Sequence, residues 1–176
     1  TPILIGNEKR VKEQLKEIGL DENYKIQIVN STNKEKRELY SKRLYEKLQR
    51  KGLLERDVDR LIRNDRIIWG SSMVECGDAD AMVTGNIRHY AASIESLKKV
   101  VEARPGEILF GLNMLITAKK TIFIADTQVN DFPSAENLTK IAKSSVRVAR
   151  LFGFDPKVAF LSHSTFGKPT SRNTKH

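Results

Sequence analysis

Short runs rich in Ile, Val and Ala alternate along this chain with longer stretches whose apolar residues recur every three or four positions. That order constrains the fold more than any other feature, because strand-then-helix repeats are the signature of an α/β protein with a mainly parallel sheet. The first apolar run, Pro2-Ile3-Leu4-Ile5-Gly6, predicts a buried strand. Asn7 is placed to cap a helix carrying Val11, Leu15 and Ile18, which Gly19 ends. A second strand is expected at Lys25–Val29. The helix after Asn33 carries Tyr40, Leu44 and Leu48 on one face and stops at Gly52. Arg56–Glu75 reads as one or two helices broken near Asn64-Asp65. Its apolar stretch around Ile67, Ile68, Trp69 and Met73 predicts a helix packed deep against the sheet.

Gly77-Asp78 turns the chain into a predicted strand at Ala79–Val83. Thr84-Gly85-Asn86 then opens a helix with Ile94, Leu97 and Val101 on its inner stripe. Arg104-Pro105-Gly106 is the clearest punctuation in the sequence and marks the expected lobe boundary. Beyond it, 107–116 and 121–125 are β-rich and predict a hairpin through Ala118-Lys119-Lys120. A helix capped by Ser134 follows, with Leu138, Ile141, Ser145, Val148 and Phe152 on one face and Gly153 as its stop. Lys157–Leu161 is expected to be the final strand.

The chain is 176 residues long and carries a formal charge of +9. A basic balance of this size suits anionic partners: nucleic acid, acidic lipid or a phosphorylated metabolite. Its densest stretch, residues 33–63, holds 11 basic and 6 acidic residues interleaved with apolar ones, as expected of solvated helix faces. Neither an aromatic platform nor a reading helix supports a nucleic-acid module, which ranks last among the functions considered. No apolar run approaches the roughly 20 residues that span a bilayer, and residues 1–6 lack a secretory pattern, so a cytoplasmic protein is the expectation. The single cysteine, Cys76, excludes an internal disulfide framework. His89, His163 and His176 share no ligand spacing, so no metal is expected.

Parallel sheets bind ligands at the carboxyl ends of their strands, which directs attention to three loops. Thr84, Gly85 and Asn86, with Arg88 and His89 expected just inside the helix, form either an anion site at a helix N-terminus or an ordinary capped turn. Asp126 follows a predicted strand and either orients a partner or caps its own turn. Ser162, Ser164 and Thr165 offer hydroxyls for a phosphate, with His163 between them. The P-loop, G-x-G-x-x-G and G-x-S-x-G patterns are all missing, so neither those nucleotide sites nor a nucleophile elbow is supported.

Three ordered blocks carry a resemblance: Gly77–Gly85, Ala125–Ser134 and Pro156–Ser162, with the opening Pro2–Gly6. They resemble the phosphate acetyltransferase/butyryltransferase family across nearly the whole chain. Arg66–Gly70 and Leu161–Gly167 look closest to the branch fused to the C-terminus of bacterial NADP-dependent malic enzymes. The resemblance implies a two-lobed, three-layer α/β/α fold that binds acetyl-CoA or acetyl phosphate in the cleft between lobes, as a homo-oligomer. The lobes would span 1–104 and 105–176, each incomplete at its outer end, as in a fragment of a longer protein. NADP and a divalent metal would belong only to an upstream malic-enzyme domain. The family's Ser-Arg segment would fall beyond His176, which leaves the catalytic residues unassigned. Leu48 stands where family enzymes commonly carry Arg, and a leucine cannot clamp phosphate. The resemblance therefore points to a regulatory domain first, and to active acetyl transfer between coenzyme A and phosphate second.

Overall fold

A computed structural model describes residues 1–20 and 26–161. The fold is α/β, and the chain divides into two compact units, Thr1–Glu102 and Ala103–His176. Among the described residues no helix is long and apolar enough to cross a membrane.

The first unit opens with strand β1 (Ile3–Ile5), helix α1 (Glu8–Glu17) and strand β2 (Gln27–Val29). Asn7 caps α1 by accepting from the Arg10 N–H at 3.2 Å. β1 and β2 run parallel, pairing Ile3 with Gln27, Leu4 with Ile28 and Ile5 with Val29. Helix α2 (Lys34–Leu48) is capped by Asn33, which accepts from the Lys36 N–H at 3.0 Å. Tyr40, Leu44 and Leu48, spaced by four residues, make its buried face. Helices α3 (Glu55–Asn64) and α4 (Arg66–Glu75) meet at Asp65, so the break expected near Asn64-Asp65 is real.

Helix α4 explains the architecture of this unit. Seven consecutive residues, Ile67 to Met73, are buried, so the helix is enclosed on all sides rather than on one stripe. Its serines fit there because Ser71 and Ser72 donate their hydroxyls to the Ile67 and Ile68 carbonyls, one turn back. Trp69 meets the Tyr40 ring edge-on at 5.0 Å. Around them Val58, Ile62, Ile68, Met73 and Val100 complete the core, and Ile3, Ile5 and Val29 of the strands pack against it.

Helix α5 (Tyr90–Val100) begins four residues later than the Thr84-Gly85-Asn86 turn suggests. Arg88 and His89 therefore precede the helix instead of lying inside it, and neither Thr84 nor Asn86 caps it; His89 holds that position without a side-chain bond. Its inner face also differs from expectation. Ser96 and Val100 are its buried residues, because Ser96 is drawn inward by a buried carboxylate described below.

The predicted strand at Ala79–Val83 makes no ladder among the described residues, although its backbone is irregular and open rather than helical. A strand exists only through its neighbour, and among the described residues no backbone group hydrogen-bonds to the backbone of this segment.

The second unit holds β3 (Leu112–Ile116) and β4 (Thr121–Ala125), which form the expected antiparallel hairpin, with Leu112 opposite Ala125 and Ile116 opposite Thr121. Thr117 closes the turn, its N–H reaching the Lys120 carbonyl at 3.0 Å. Helix α6 (Ala135–Leu151) is capped by Ser134, which accepts from the Asn137 N–H at 3.2 Å. Ile141 and Ala149 are its buried residues. Phe152, expected on the inner stripe, instead lies at the helix end, half-exposed, with its ring 6.4 Å from Phe123. The expected strand at Lys157–Leu161 makes no ladder among the described residues; Val158, Phe160 and Leu161 stand exposed, Leu161 at 93%. As with Ala79–Val83, the apolar sequence is there and no described strand pairs with it.

In the basic stretch 33–63, six of the 11 basic residues make ion pairs among the described residues. Arg37 and Arg63 share Asp59, Lys47 reaches Glu75 at 2.6 Å, and Arg60 reaches Asp57 at 3.2 Å. These are helix-surface pairs of the ordinary kind, each contributing little to stability.

Candidate functional site

Among the described residues each unit carries one of the three sequence-predicted loops. In the first unit Thr84, Gly85 and Arg88 border a cavity of about 200 Å³ whose wall is built from Ile67 of α4 and Ile94 and Leu97 of α5. Gly85 adopts φ 126°, a conformation that strains any residue with a Cβ. A glycine here lets the loop turn beside the cavity. Asn86 is exposed on the same loop.

Arg88 is where sequence reasoning and structure part. Its Nη1 donates to Oδ2 of Asp65 at 2.8 Å, and Ser96 Oγ donates to the same oxygen at 2.7 Å. Asp65 is 8% exposed. Its other oxygen caps α4, accepting from the Ile67 N–H at 2.9 Å and the Ile68 N–H at 3.4 Å. Burial by itself would raise the Asp65 carboxyl, but the bonds from Arg88, Ser96 and the two backbone amides outweigh it and hold the group below the usual carboxylate range. The Arg88 fork is thus partly committed inside the protein, while its side chain keeps 47% of its surface exposed beside the cavity. Asp65 and Ser96 are the residues the sequence reading missed. The signal available was the Asp65-Arg66-Ile67-Ile68 cap pattern. No sequence rule pairs that cap with an arginine 23 positions on.

A second network lies at the end of α4. Lys36 Nζ reaches Asp78 Oδ1 at 2.6 Å, and the buried Tyr40 hydroxyl donates to Asp78 Oδ2. Bonds from Lys36 and Tyr40 lower the Asp78 carboxyl, while burial, followed by the bond to Asp78, pushes the Tyr40 phenol upward. Burial also raises the neighbouring Cys76 thiol, a half-buried group held away from thiolate chemistry.

In the second unit Asp126 organises its own loop. The peptide bond before it is cis. Its Oδ1 accepts from the Gly111 N–H at 2.8 Å and the Val129 N–H at 3.3 Å, and its Oδ2 accepts from the Asn130 N–H at 3.1 Å and from the Asn130 side-chain amide. Asn130 also donates to the Leu109 carbonyl at 2.9 Å. The carboxylate therefore binds the segment before β3 to the loop after β4. Asp126→Ala should strip these bonds at once and destabilise the second unit by about 2–3 kcal/mol, read as a fall in its urea midpoint. An unchanged midpoint would mean that the loop holds itself.

Ser162, His163, Ser164 and Thr165 lie outside the described residues. Among the described residues no three His, Cys, Asp or Glu side chains gather as metal ligands. What the first loop presents is the Thr84 hydroxyl and a half-committed guanidinium beside an apolar pocket. These groups suit recognition of an anion carrying an apolar portion.

A family model described as phosphate acetyl/butaryl transferase matches residues 1–176. The chain is 39% identical over 176 residues to an NADP-dependent malic enzyme of Rhizobium meliloti, covering 99% of this chain and 23% of that protein. It is 36% identical over 174 residues to a probable NADP-dependent malic enzyme of Rickettsia prowazekii, again covering 23% of it. A phosphate acetyltransferase of Nitratidesulfovibrio vulgaris is 35% identical over 164 residues, covering 93% of this chain and 23% of that one. The chain thus spans about a quarter of the length of these curated relatives.

Proposed function

Because the chain belongs to the phosphate acetyl/butaryl transferase family, we propose that it is the acyl-ligand-binding domain of a longer malic enzyme and regulates that enzyme's turnover. The observation that carries this reading is the family match across the whole chain combined with its similarity to about a quarter of the length of NADP-dependent malic enzymes. The ligand is acetyl-CoA or acetyl phosphate, held by Thr84, Gly85, Asn86 and Arg88 in the first unit. Asp126, Ser162, Ser164 and Thr165 are the binding residues proposed from the second. The net charge of +9 favours a phosphate-bearing ligand of this kind over a neutral one. NADP and a divalent metal belong to the remainder of that longer cytoplasmic protein, which works as a homo-oligomer.

Regulation requires that the ligand favour one arrangement of the enzyme over another. Leu48 supports regulation over catalysis here. It is 2% exposed within the core and does not border the cavity near Arg88, so it brings nothing to a phosphate held there. A second reading, reversible acetyl transfer between coenzyme A and phosphate, is favoured by the similarity to the Nitratidesulfovibrio vulgaris enzyme.

Titration of the intact protein with acetyl-CoA in a calorimeter separates these readings. Saturable binding with a change in malate turnover, and no acetyl phosphate formed from acetyl-CoA and phosphate, is the expected result. Thr84→Val should weaken that binding about 10-fold, the loss of one useful hydrogen bond. Acetyl phosphate formation would establish the second reading, and no binding at all would defeat both.

A further inference from the structure

Among the described residues Asp65 is the only charged side chain that is buried. A carboxylate in such a place is held still by the donors around it. The Ile67 and Ile68 amides bond one oxygen, and Arg88 and Ser96 bond the other. These donors come from the first turn of α4, from α5 and from the loop before α5. Asp65 is therefore a fixed point joining the two helices that wall the cavity of about 200 Å³.

Arg88 is fastened to that point by one nitrogen. Its Nη1 donates to Asp65 Oδ2 at 2.8 Å and, more weakly, to Ser96 Oγ at 3.4 Å, so both N–H groups of that nitrogen are engaged. Ser96 gives its own proton to Asp65, which closes the triangle. A guanidinium carries five N–H donors in one plane. The three on Nε and Nη2 make no hydrogen bond to any described residue. Nε and Nη2 form the edge that receives two oxygens of a phosphate or carboxylate side by side. A guanidinium whose one task was to neutralise Asp65 would turn this two-donor edge to the carboxylate. Here the carboxylate takes the opposite nitrogen, and the side chain stays half-exposed beside the cavity.

We infer that Asp65 is a positioning residue for anion binding: by holding Nη1 of Arg88 against α4 and α5, it presents the Nε–Nη2 edge to the cavity as a preformed fork for a phosphoryl group. An arginine on a loop loses its rotamer freedom when it closes on an anion, and that loss opposes binding. With Nη1 already fastened, much of it has occurred on folding. Ile67, Ile94 and Leu97 border the same cavity and suit the uncharged part of the ligand. The inference rests on the acyl-ligand reading for the place of the site and adds the residue that orients it.

Calorimetry on the intact protein, with acetyl-CoA and inorganic phosphate as separate probes, tests both. Arg88→Gln should weaken acetyl-CoA binding about 30-fold and Asp65→Asn about 10-fold. In the Arg88→Gln background Asp65→Asn should change affinity less than about twofold, because no fork remains to be positioned. Ser96→Ala keeps the carboxylate and removes one tie; it should weaken binding about 3-fold, and it replaces Asp65→Asn if that variant does not fold. Inorganic phosphate should follow the same order. Binding to Asp65→Asn as tight as to the parent, or tighter, means that the carboxylate only restrains Arg88 and overturns the inference. An equal loss with and without Arg88 means that Asp65 acts through the fold alone, and this too overturns it. So does binding that Arg88→Gln leaves unchanged, or a parent that binds neither probe. Phosphate bound with this dependence on Asp65, but no acetyl-CoA, upholds the inference and defeats the acyl-ligand reading. Acetyl-CoA bound without that dependence does the reverse.

Discussion

Trp69→Ala should destabilise the first unit by about 3–5 kcal/mol, the largest effect expected of any single substitution in the chain. Trp69 is 2% exposed, lies on the helix enclosed from every side, and stacks edge-on against Tyr40. Removing the indole leaves a cavity that a helix so enclosed cannot collapse to fill. One term opposes the loss. The Trp69 Nε1 is buried with no hydrogen-bond partner among the described residues, and deleting it relieves that cost. Trp69→Phe isolates this term, since it keeps most of the ring and discards the unpaired N–H. It should cost no more than about 1 kcal/mol. Urea unfolding of the two variants against the parent checks both numbers. A loss under about 1 kcal/mol for the alanine variant would contradict the central position of α4.

Asp65→Ala should lower stability by about 3 kcal/mol. The substitution removes the α4 cap, worth about 1 kcal/mol, and breaks a pair whose carboxylate is buried. Pair disruption of that kind runs to about 3–5 kcal/mol, but Arg88 is half-exposed and can turn to water, which discounts it. The pH dependence follows from the same geometry. Asp65 has a folded-state pKa below its unfolded value, so its contribution is complete above the ordinary carboxylate range and is lost as pH falls through the folded value. The gap between the parent and Asp65→Asn should therefore be widest near neutral pH and shrink in acid. Asp78, lowered by Lys36 and Tyr40, leaves both proteins with some remaining acid sensitivity. A gap that stays constant from neutral pH into acid would show that the Asp65 charge contributes nothing.

The helices were the most legible part of this chain. Asn7 and Ser134 were readable as caps, and each accepts the backbone N–H three residues on; Asn33, which was not read as a cap, does the same. The Tyr40, Leu44 and Leu48 face and the break at Asp65 were equally plain, because a helix closes its hydrogen bonds within itself. The hairpin at 112–125 was legible for a related reason: its partner strand is a short turn away. Ala79–Val83 and Lys157–Leu161 were read from the same kind of apolar pattern and did not form ladders among the described residues.

The candidate site divides along the same line. Thr84, Gly85 and Arg88 were found from their place after an apolar run, and they do border a cavity. What they can offer a ligand was not visible there. Arg88 reads in sequence as a free phosphate fork, yet Asp65, the cap of α4, and Ser96 of α5 hold it, 23 and 8 residues away. Asp126 was read with two possible roles, and its bonds to Gly111, Val129 and Asn130 make it the organiser of its loop.

By itself the sequence determined the α/β class, the spans of α1, α2 and α6 with the Asn7 and Ser134 caps, and the family blocks, since each rests on neighbours along the chain. The tertiary structure alone decided which carboxylate holds Arg88, why α4 is buried all round, and which apolar runs have an edge to pair with. Those outcomes depend on groups brought together across long loops, where burial removes water and forces every charge and backbone amide to find its partner in space.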